Sequence, residues 1–454
     1  MASIAASIAR IKNSGLGALK RSVIERVCTE LGYGWREREL DPATTIALFV
    51  QQILHGNVPC SEVRHLAGNG KSFTPSAYCQ ARARLPLAVV QSLLRGVCDA
   101  AFAATRQSNH LWLGRHRVFH VDGSTFSMPD TEELRKAFGL PHGPKRGCGF
   151  PMAHLLVLFS AQTGLLLETW ASPLRTSDLA HLAEAHGCLK PGDVLIGDES
   201  FSSYAQLAML TRQRLHGLFP LHRKRVVDFT PDRPHSTAGG GRDRVAGMPR
   251  SRWIKSLGWQ DQLVEYFKPP EVPAWMSQEQ YDALPDSIIV RELRRTVRRK
   301  GLRSVTLTMV TTLVDPALYP ASELLDLRVR RWDVETNLRH LKTTMNMDQL
   351  HCKSEPGVRK ELAVFCLTYN LVRVVMLEAA RRQEVAVARV SFADAFKWMR
   401  HARAGDVLPD LIVNPRRPDR VEPRCIKRRL KEYDLMNRPR QVLQKRLKRQ
   451  RKNA

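Results

Sequence analysis

The chain has 454 residues, 71 Lys and Arg against 44 Asp and Glu, and a formal net charge of +27. A balance this basic points to a polyanionic partner, first of all nucleic acid, and the length leaves room for several units around a large core. No apolar run approaches the ~20 residues of a membrane span, the polar start MASIAASIARIKNSG lacks a secretory core, and the nine cysteines stand singly with no C-x2-C pair. These features argue against a membrane protein, a zinc ribbon and a disulfide framework, and predict a reduced, cytoplasmic protein.

Residues 1–110 read as helical. Asp41-Pro42 and Thr74-Pro75 each place a capping side chain before a proline at the first helical position. Thr45, Ile46, Leu48, Phe49 and Ile53 follow the first with helical period. Residues 55–59 make a turn, 60–66 a short helix, and 76–84 a third helix that carries Gln80, Arg82 and Arg84. Helix, turn and helix with a polar third element is a shape that enters a DNA major groove. The alternative is a helical bundle whose arginines are only solvated.

Near Arg115 the period changes. Residues 118–121 predict a strand running into a polar loop, Asp122-Gly123-Ser124. Residues 154–159 and 165–170 predict a hairpin around Ala161-Gln162-Thr163-Gly164. A helix over 178–186, a buried strand over 194–196 ending at Gly197-Asp198, a helix over 204–214 and a strand over 217–221 complete the run. Residues 226–252, rich in Gly, Pro, Arg and Asp, read as a mobile loop. Strands over 263–267, 287–293 and 304–312 then make a β-rich insertion.

Residues 322–346, SELLDLRVRRWDVETNLRHLKTTMN, read as one long helix. Its wheel puts Arg328, Arg331, Glu335, Arg339 and Lys342 on one face and Leu324, Leu327, Val334, Leu338 and Leu341 on the other. Trp332 falls between them and reads as core ahead of base stacking. Taken alone, this is the pattern of a surface helix laced with ion pairs. An apolar helix follows over 358–380, and a shorter one over 391–401 with Ser391 and Asp394 as a capping box. From Pro415 onward Arg and Lys dominate, and the tail is predicted to be disordered when free.

Three acidic motifs stand in order along this pattern: Asp122 in HVDGSTF, Asp198 in IGDESF, and Glu335 in the long helix. A lone Asp at a strand end is usually a turn residue. Here D-G-S, G-D-x-x-F and R-x3-E-x6-K (Arg331, Glu335, Lys342) together resemble the bacterial DDE transposases of the insertion-sequence-four family, as does ELAVFCLTYNLVR downstream. The resemblance runs from about Asp41 to the basic tail. It departs at one position, where Arg328 stands in place of the Tyr of the Y-x2-R-x3-E-x6-K signature.

The resemblance implies an α/β fold with a ribonuclease-H-like core. Its parts would be a helical DNA-binding region (1–110), the core in two pieces (111–222 and 321–385), the β-rich insertion (223–320), and a C-terminal helix with basic tail (386–454). It implies Asp122, Asp198 and Glu335 as catalytic carboxylates and metal ligands for two Mg2+ ions, with Mn2+ able to substitute. Asp122 would bridge the ions, and Glu199 would face away. Arg331 and Lys342 would contact phosphates of the transposon end. Arg339 shares their face, and Arg328 would hold a phosphate in the Tyr's stead unless it pairs with Glu323 or Asp326. The partner would be double-stranded DNA, terminal inverted repeats and target alike, bound by a homodimer on paired ends. Other classes remain: a catalytically inactive DNA-binding relative, or a ribonuclease-H-like nuclease.

Overall fold

Both capping signals act as their chemistry dictates. In α2 (Pro42–Leu54), which follows α1 (Arg21–Glu30), the Asp41 carboxylate accepts from the Thr44 N–H at 2.7 Å. After α3 (Cys60–Leu66), the Thr74 hydroxyl accepts from the Ala77 N–H at 3.1 Å and starts α4 (Pro75–Arg84). Helix α5 (Leu87–Arg106) closes the N-terminal group. The computed structural model describes residues 19–452 apart from 68–72, 107–110, 142–148, 223, 237–247, 298–303, 403–405, 407, 410 and 412–438. The N-terminal start, part of the 226–252 segment and much of the basic tail lie outside the described residues.

The next elements are β1 (Val118–Ser127), α6 (Glu132–Phe138), β2 (Met152–Ser160) and β3 (Leu166–Pro173). A 3-10 turn at Asp178–His181 leads into α7 (Leu182–Gly187), then β4 (Val194–Ile196), α8 (Tyr204–Arg212) and β5 (His216–Pro220). The predicted loop Asp122-Gly123-Ser124 is instead the middle of β1. Its residues pair with Val157, Leu156 and Leu155 of β2, so a neighbouring ladder holds polar residues extended that would otherwise turn.

Strands β6 (Arg252–Gly258), β7 (Asp261–Phe267), β8 (Ser287–Val297) and β9 (Val305–Thr311) form the insertion, with α9 (Gln278–Asp282) between β7 and β8. β6 falls where a loop was expected to end. Its pairing with β7 shifts register twice, so it carries no clean alternation to read in advance. All these strands belong to one nine-stranded sheet, in the order β3-β2-β1-β4-β5-β9-β8-β7-β6. β1, β4 and β5 run parallel, while β2 and β9 are antiparallel to their neighbours. The insertion therefore extends the central sheet through the β5–β9 pair.

The long helix follows the predicted path in three pieces: α10 (Ala321–Val329), α11 (Trp332–Arg339) and a π-helical turn at His340–Thr344. At the α10–α11 junction, Arg331, Asp333 and Val334 each donate their N–H three residues back, at 3.2, 2.9 and 3.0 Å. Such bonds wind the chain faster than an α-helix, about 120° per residue. The extra rotation carries Trp332 off the apolar face. It is 63 % exposed, against the core position expected, whereas Leu324, Leu327, Val334, Leu338 and Leu341 are all buried.

Helix α12 (Glu355–Arg382) runs through the largest core cluster, against α5, α2 and one face of β2. By length and apolarity alone it passes as a membrane-spanning stretch, contrary to the reading of the sequence, yet 94 % of that stretch is buried inside this fold. Its Lys360 and Glu361 interrupt the apolar run in sequence but are both partnered. Glu361 accepts from Asn57, His351 N and Cys352 N, and Lys360 donates to the Arg82 and Ala83 carbonyls at the end of α4. Helix α13 (Phe392–His401) is capped by Ser391, which accepts from Asp394 N. Within the basic tail, residues Arg440–Lys452 form a helix, α14, where disorder was expected.

The sheet divides the interior by alternation. Val118, Val194 and Ile196 pack with Leu324 and Leu327 of α10 on one face. Phe119, Val121 and Leu195 pack with α8 on the other. Even-numbered residues of β1, Asp122 among them, thus look toward the helix that carries Glu335.

Candidate active site

Asp122 projects from the middle of β1, Asp198 from the loop just after β4, and Glu335 from α11. Two devices bring them near one another. β1 and β4 are parallel neighbours, paired His120 with Ile196, so Asp122 and Asp198 each lie two residues beyond one rung. Beyond the π turn the chain returns to β1: Leu350 N donates to Ser127 O at 2.9 Å and Ser127 N to Asp348 O at 2.9 Å. This clasp fixes the α11 end against the strand of Asp122.

Gly123 lets the Asp178 carboxylate, hydrogen-bonded to His154 Nε2 on β2, lie where a Cβ would otherwise stand. The Asp198 carboxylate caps the turn Glu199–Phe201, accepting from Ser200 N at 2.8 Å and Ser200 Oγ at 2.6 Å. Arg331 joins the other two acids, with Nη2 2.9 Å from Glu335 Oε1 and Nη1 3.7 Å from Asp122 Oδ2. Lys342, from the π turn, donates to Ser124 Oγ at 3.0 Å, two residues along the same face of β1.

Burial pushes the Asp122 carboxyl up to about 6, with Arg331 and the Gly123 N–H opposing and Asp198 and Glu335 adding to the rise. Asp122 thus feels the charge of both other acids. Glu199 is exposed and is not among the groups acting on Asp122. Arg328 is 9 % exposed, and its Nε is buried without a hydrogen-bond partner. Burial pushes it down to about 10, Arg331 adding to that fall while Asp198 and Glu335 oppose it. Among the described residues no ion pair joins Arg328 to Glu323 or Asp326. Under both arginines lies His120, fully buried, neither ring nitrogen partnered, pushed down to about 3 by burial and then by Arg331 and Arg328. It is a neutral imidazole at ordinary pH.

The raised Asp122 has a measurable consequence. Between its ordinary value of about 4 and about 6, the folded chain keeps a proton that the unfolded chain has lost. Stability therefore falls as pH rises through that window, and at pH 7 the full cost, roughly 3 kcal/mol, is present. In metal-free buffer Asp122→Asn will melt higher than the parent chain at pH 7, and the gap between the two will widen as pH rises from 4 to 6. A variant no more stable than the parent at pH 7 would contradict the burial account.

The remaining candidates lie on other surfaces. Arg339 is exposed on α11. Gln80 and Arg84 are exposed on α4. Arg82, expected to face DNA, is turned inward: its guanidinium stacks 3.7 Å over the Phe49 ring and donates to Gln52, Cys60 and Cys352. Sequence reasoning missed His120, His154 and Asp178. His120 sits two residues before Asp122, and alternation alone would have put it on the same face; the other two carry no local signal.

Three carboxylates from two strands and a helix are hard oxygen donors, the set that Mg2+ or Mn2+ takes. As the side chains stand, no three His, Cys, Asp or Glu among the described residues are gathered closely enough to share one ion. The Arg331 guanidinium lies between Asp122 and Glu335. The donor chemistry fits a divalent cation, and the flanking cations suit a phosphodiester beside it.

Comparison with known proteins agrees with this chemistry. Residues 113–371 match the family described as "Transposase DDE domain". The chain is 23 % identical over 445 residues to transposase InsG for insertion sequence element IS4 of Escherichia coli (strain K12), covering 91 % of this chain and 92 % of that protein. It is 27 % identical over 195 residues to the putative transposase InsZ of the same strain, covering 41 % of this chain and 63 % of the other. A cryo-EM structure of the piggyBac transposase synaptic complex with hairpin DNA aligns with a TM-score of 0.40 at 10 % identity, over 86 % of this chain and 79 % of that one.

Proposed function

The chain belongs to the DDE transposase family, whose members cleave DNA and transfer its strands, and from that premise we propose that Asp122, Asp198 and Glu335 are its catalytic carboxylates. The observation that carries this reading is that Asp122 feels the charge of both other acids and shares Arg331 with Glu335, with Arg328 beside them and Lys342 on the same face of β1. The three carboxylates would hold the divalent ions, Mg2+ with Mn2+ able to substitute. What bound ions supply there is activation of a water or terminal hydroxyl and neutralisation of the leaving oxygen.

The chain's own residues do the rest. The β1–β2 ladder and the Gly123 N–H hold Asp122 in place, and Ser200 fixes the Asp198 carboxylate from behind. Arg331 and Lys342 clamp the phosphates flanking the scissile bond. Arg328, in the Tyr position of the family signature, takes a backbone phosphate beside Arg331. A buried guanidinium without a carboxylate in bonding range is costly, and a phosphate oxygen would complete it.

The strand order β3-β2-β1-β4-β5, with β2 antiparallel, supports a ribonuclease-H-like core, extended by the insertion. Gln80 and Arg84 of α4 and Arg339 of α11 would meet the terminal inverted repeat. The basic helix α14 would add affinity for any duplex through counterion release. A homodimer would hold two paired ends before the target is joined.

The test is incubation of the purified chain with Mg2+ and a duplex carrying the inverted repeat that flanks its gene. Cleavage at the repeat boundary, with joining of the new 3′-hydroxyl to a second duplex, is expected. Tight binding of the repeat without any cleavage would leave a DNA-binding relative that has lost catalysis.

A further inference from the structure

Arg331 is placed where a metal-free acidic centre needs a cation. Its two Nη groups face Asp122 Oδ2 and Glu335 Oε1, and the side chain is only 14 % exposed. A divalent ion bound by both acids needs oxygens at about 2.0–2.6 Å, which competes with a guanidinium on the same atoms. Two buried groups feel the charge of Arg331 from the protein side. His120 is fully buried there with neither ring nitrogen partnered, and Arg328, 9 % exposed, repels a second guanidinium. The Nε of Arg331 is itself buried without a partner, so the side chain is held chiefly by the two carboxylates.

We propose that Arg331 is the resident counter-ion of the acidic centre: it positions Asp122 and Glu335 before metal arrives, competes with metal for them, and is drawn off by a DNA phosphate. The inference rests on the reading of these acids as metal ligands. It makes metal loading and DNA seating mutually dependent, because whatever takes Arg331 outward frees the oxygens a metal uses. A chain without its DNA end would thus be weakly loaded and slow to cut elsewhere. Lys342 has no such role. It is a cation on the same face, bonded to the Ser124 hydroxyl and to neither of these carboxylates.

The test measures Mn2+ binding to the full chain, without DNA, by calorimetry and by loss of the free-ion paramagnetic resonance signal. Arg331→Gln should bind Mn2+ about tenfold tighter than the parent, the size of one lost charge-assisted contact. Arg331→Lys should fall between them, and Lys342→Gln should stay within about twofold, since its charge pairs with neither acid. Adding the terminal-repeat duplex should tighten Mn2+ binding in the parent more than in Arg331→Gln. Melting curves on each variant check that the fold persists, and Arg331→Lys serves if the glutamine variant does not fold. Equal or weaker binding by both Arg331 variants overturns the proposal, as does an equal gain in Lys342→Gln. An Asp122→Asn arm separates the two levels. If it leaves Mn2+ binding unchanged, the assignment of the metal ligands has failed. If it abolishes binding while Arg331→Gln gives no gain, only the counter-ion role has failed.

Discussion

Replacing Asp198 by Asn will abolish strand cleavage at the transposon end, by about a thousandfold or more, while repeat binding stays within a few-fold of the parent chain. A lost metal ligand removes several kcal/mol of transition-state charge stabilisation, and each roughly 1.4 kcal/mol is a factor of ten. Asn is the sharper choice over Ala because Asp198 has a second duty. Its Oδ1 accepts two bonds from Ser200 and caps the following turn. An amide oxygen can still accept both, so Asp198→Asn removes the charge and keeps the cap, whereas Asp198→Ala removes both. Asp122→Asn and Glu335→Gln should be equally inactive. If the Asn variant loses melting temperature and repeat binding together with cleavage, Asp198 is a structural residue. If it cleaves within tenfold of the parent, the ligand assignment is wrong.

The second large effect is expected at Arg328. Arg328→Ala should slow strand cleavage roughly 10- to 100-fold, the worth of one charge-assisted phosphate bond. Its melting temperature should hold or rise. The parent guanidinium is 9 % exposed, its Nε has no partner, and burial has already lowered its pKa to about 10, so its removal relieves a cost. Arg328→Tyr, which restores the residue of the family signature, should keep part of the activity. Full activity in Arg328→Ala at low and moderate salt would remove Arg328 from the DNA-contacting set.

The parts of this architecture that were legible in the sequence are those set by local chemistry. Asp41-Pro42 and Thr74-Pro75 announce α2 and α4 because a capping oxygen and a fixed proline φ act within one turn. The apolar stripe from Leu324 to Leu341 is buried as its spacing demands. Asp122, Asp198 and Glu335 could be singled out because each sits in a short motif. The illegible parts depend on what packs alongside. Asp122-Gly123-Ser124 reads as a loop until β2 supplies a ladder. Trp332 reads as core until three tight hydrogen bonds turn it to solvent. Arg82 looks like its neighbour Arg84, and only Phe49, Gln52, Cys60 and Cys352 around it show that it is held inside. Nothing local marks Asp178 either. Its closeness to Gly123 depends on a turn more than fifty residues downstream, and only the folded chain brings the two together.

In the proposed mechanism one metal centre forms among Asp122, Asp198 and Glu335. The measurement that bears on it most directly is anomalous diffraction from Mn2+ in crystals of the chain bound to its terminal-repeat duplex. The account predicts anomalous peaks within coordination distance of all three carboxylates, with Arg331 turned from Asp122 and Glu335 toward a phosphate. Peaks elsewhere, or none while the duplex is seated and the three side chains are ordered, would contradict it.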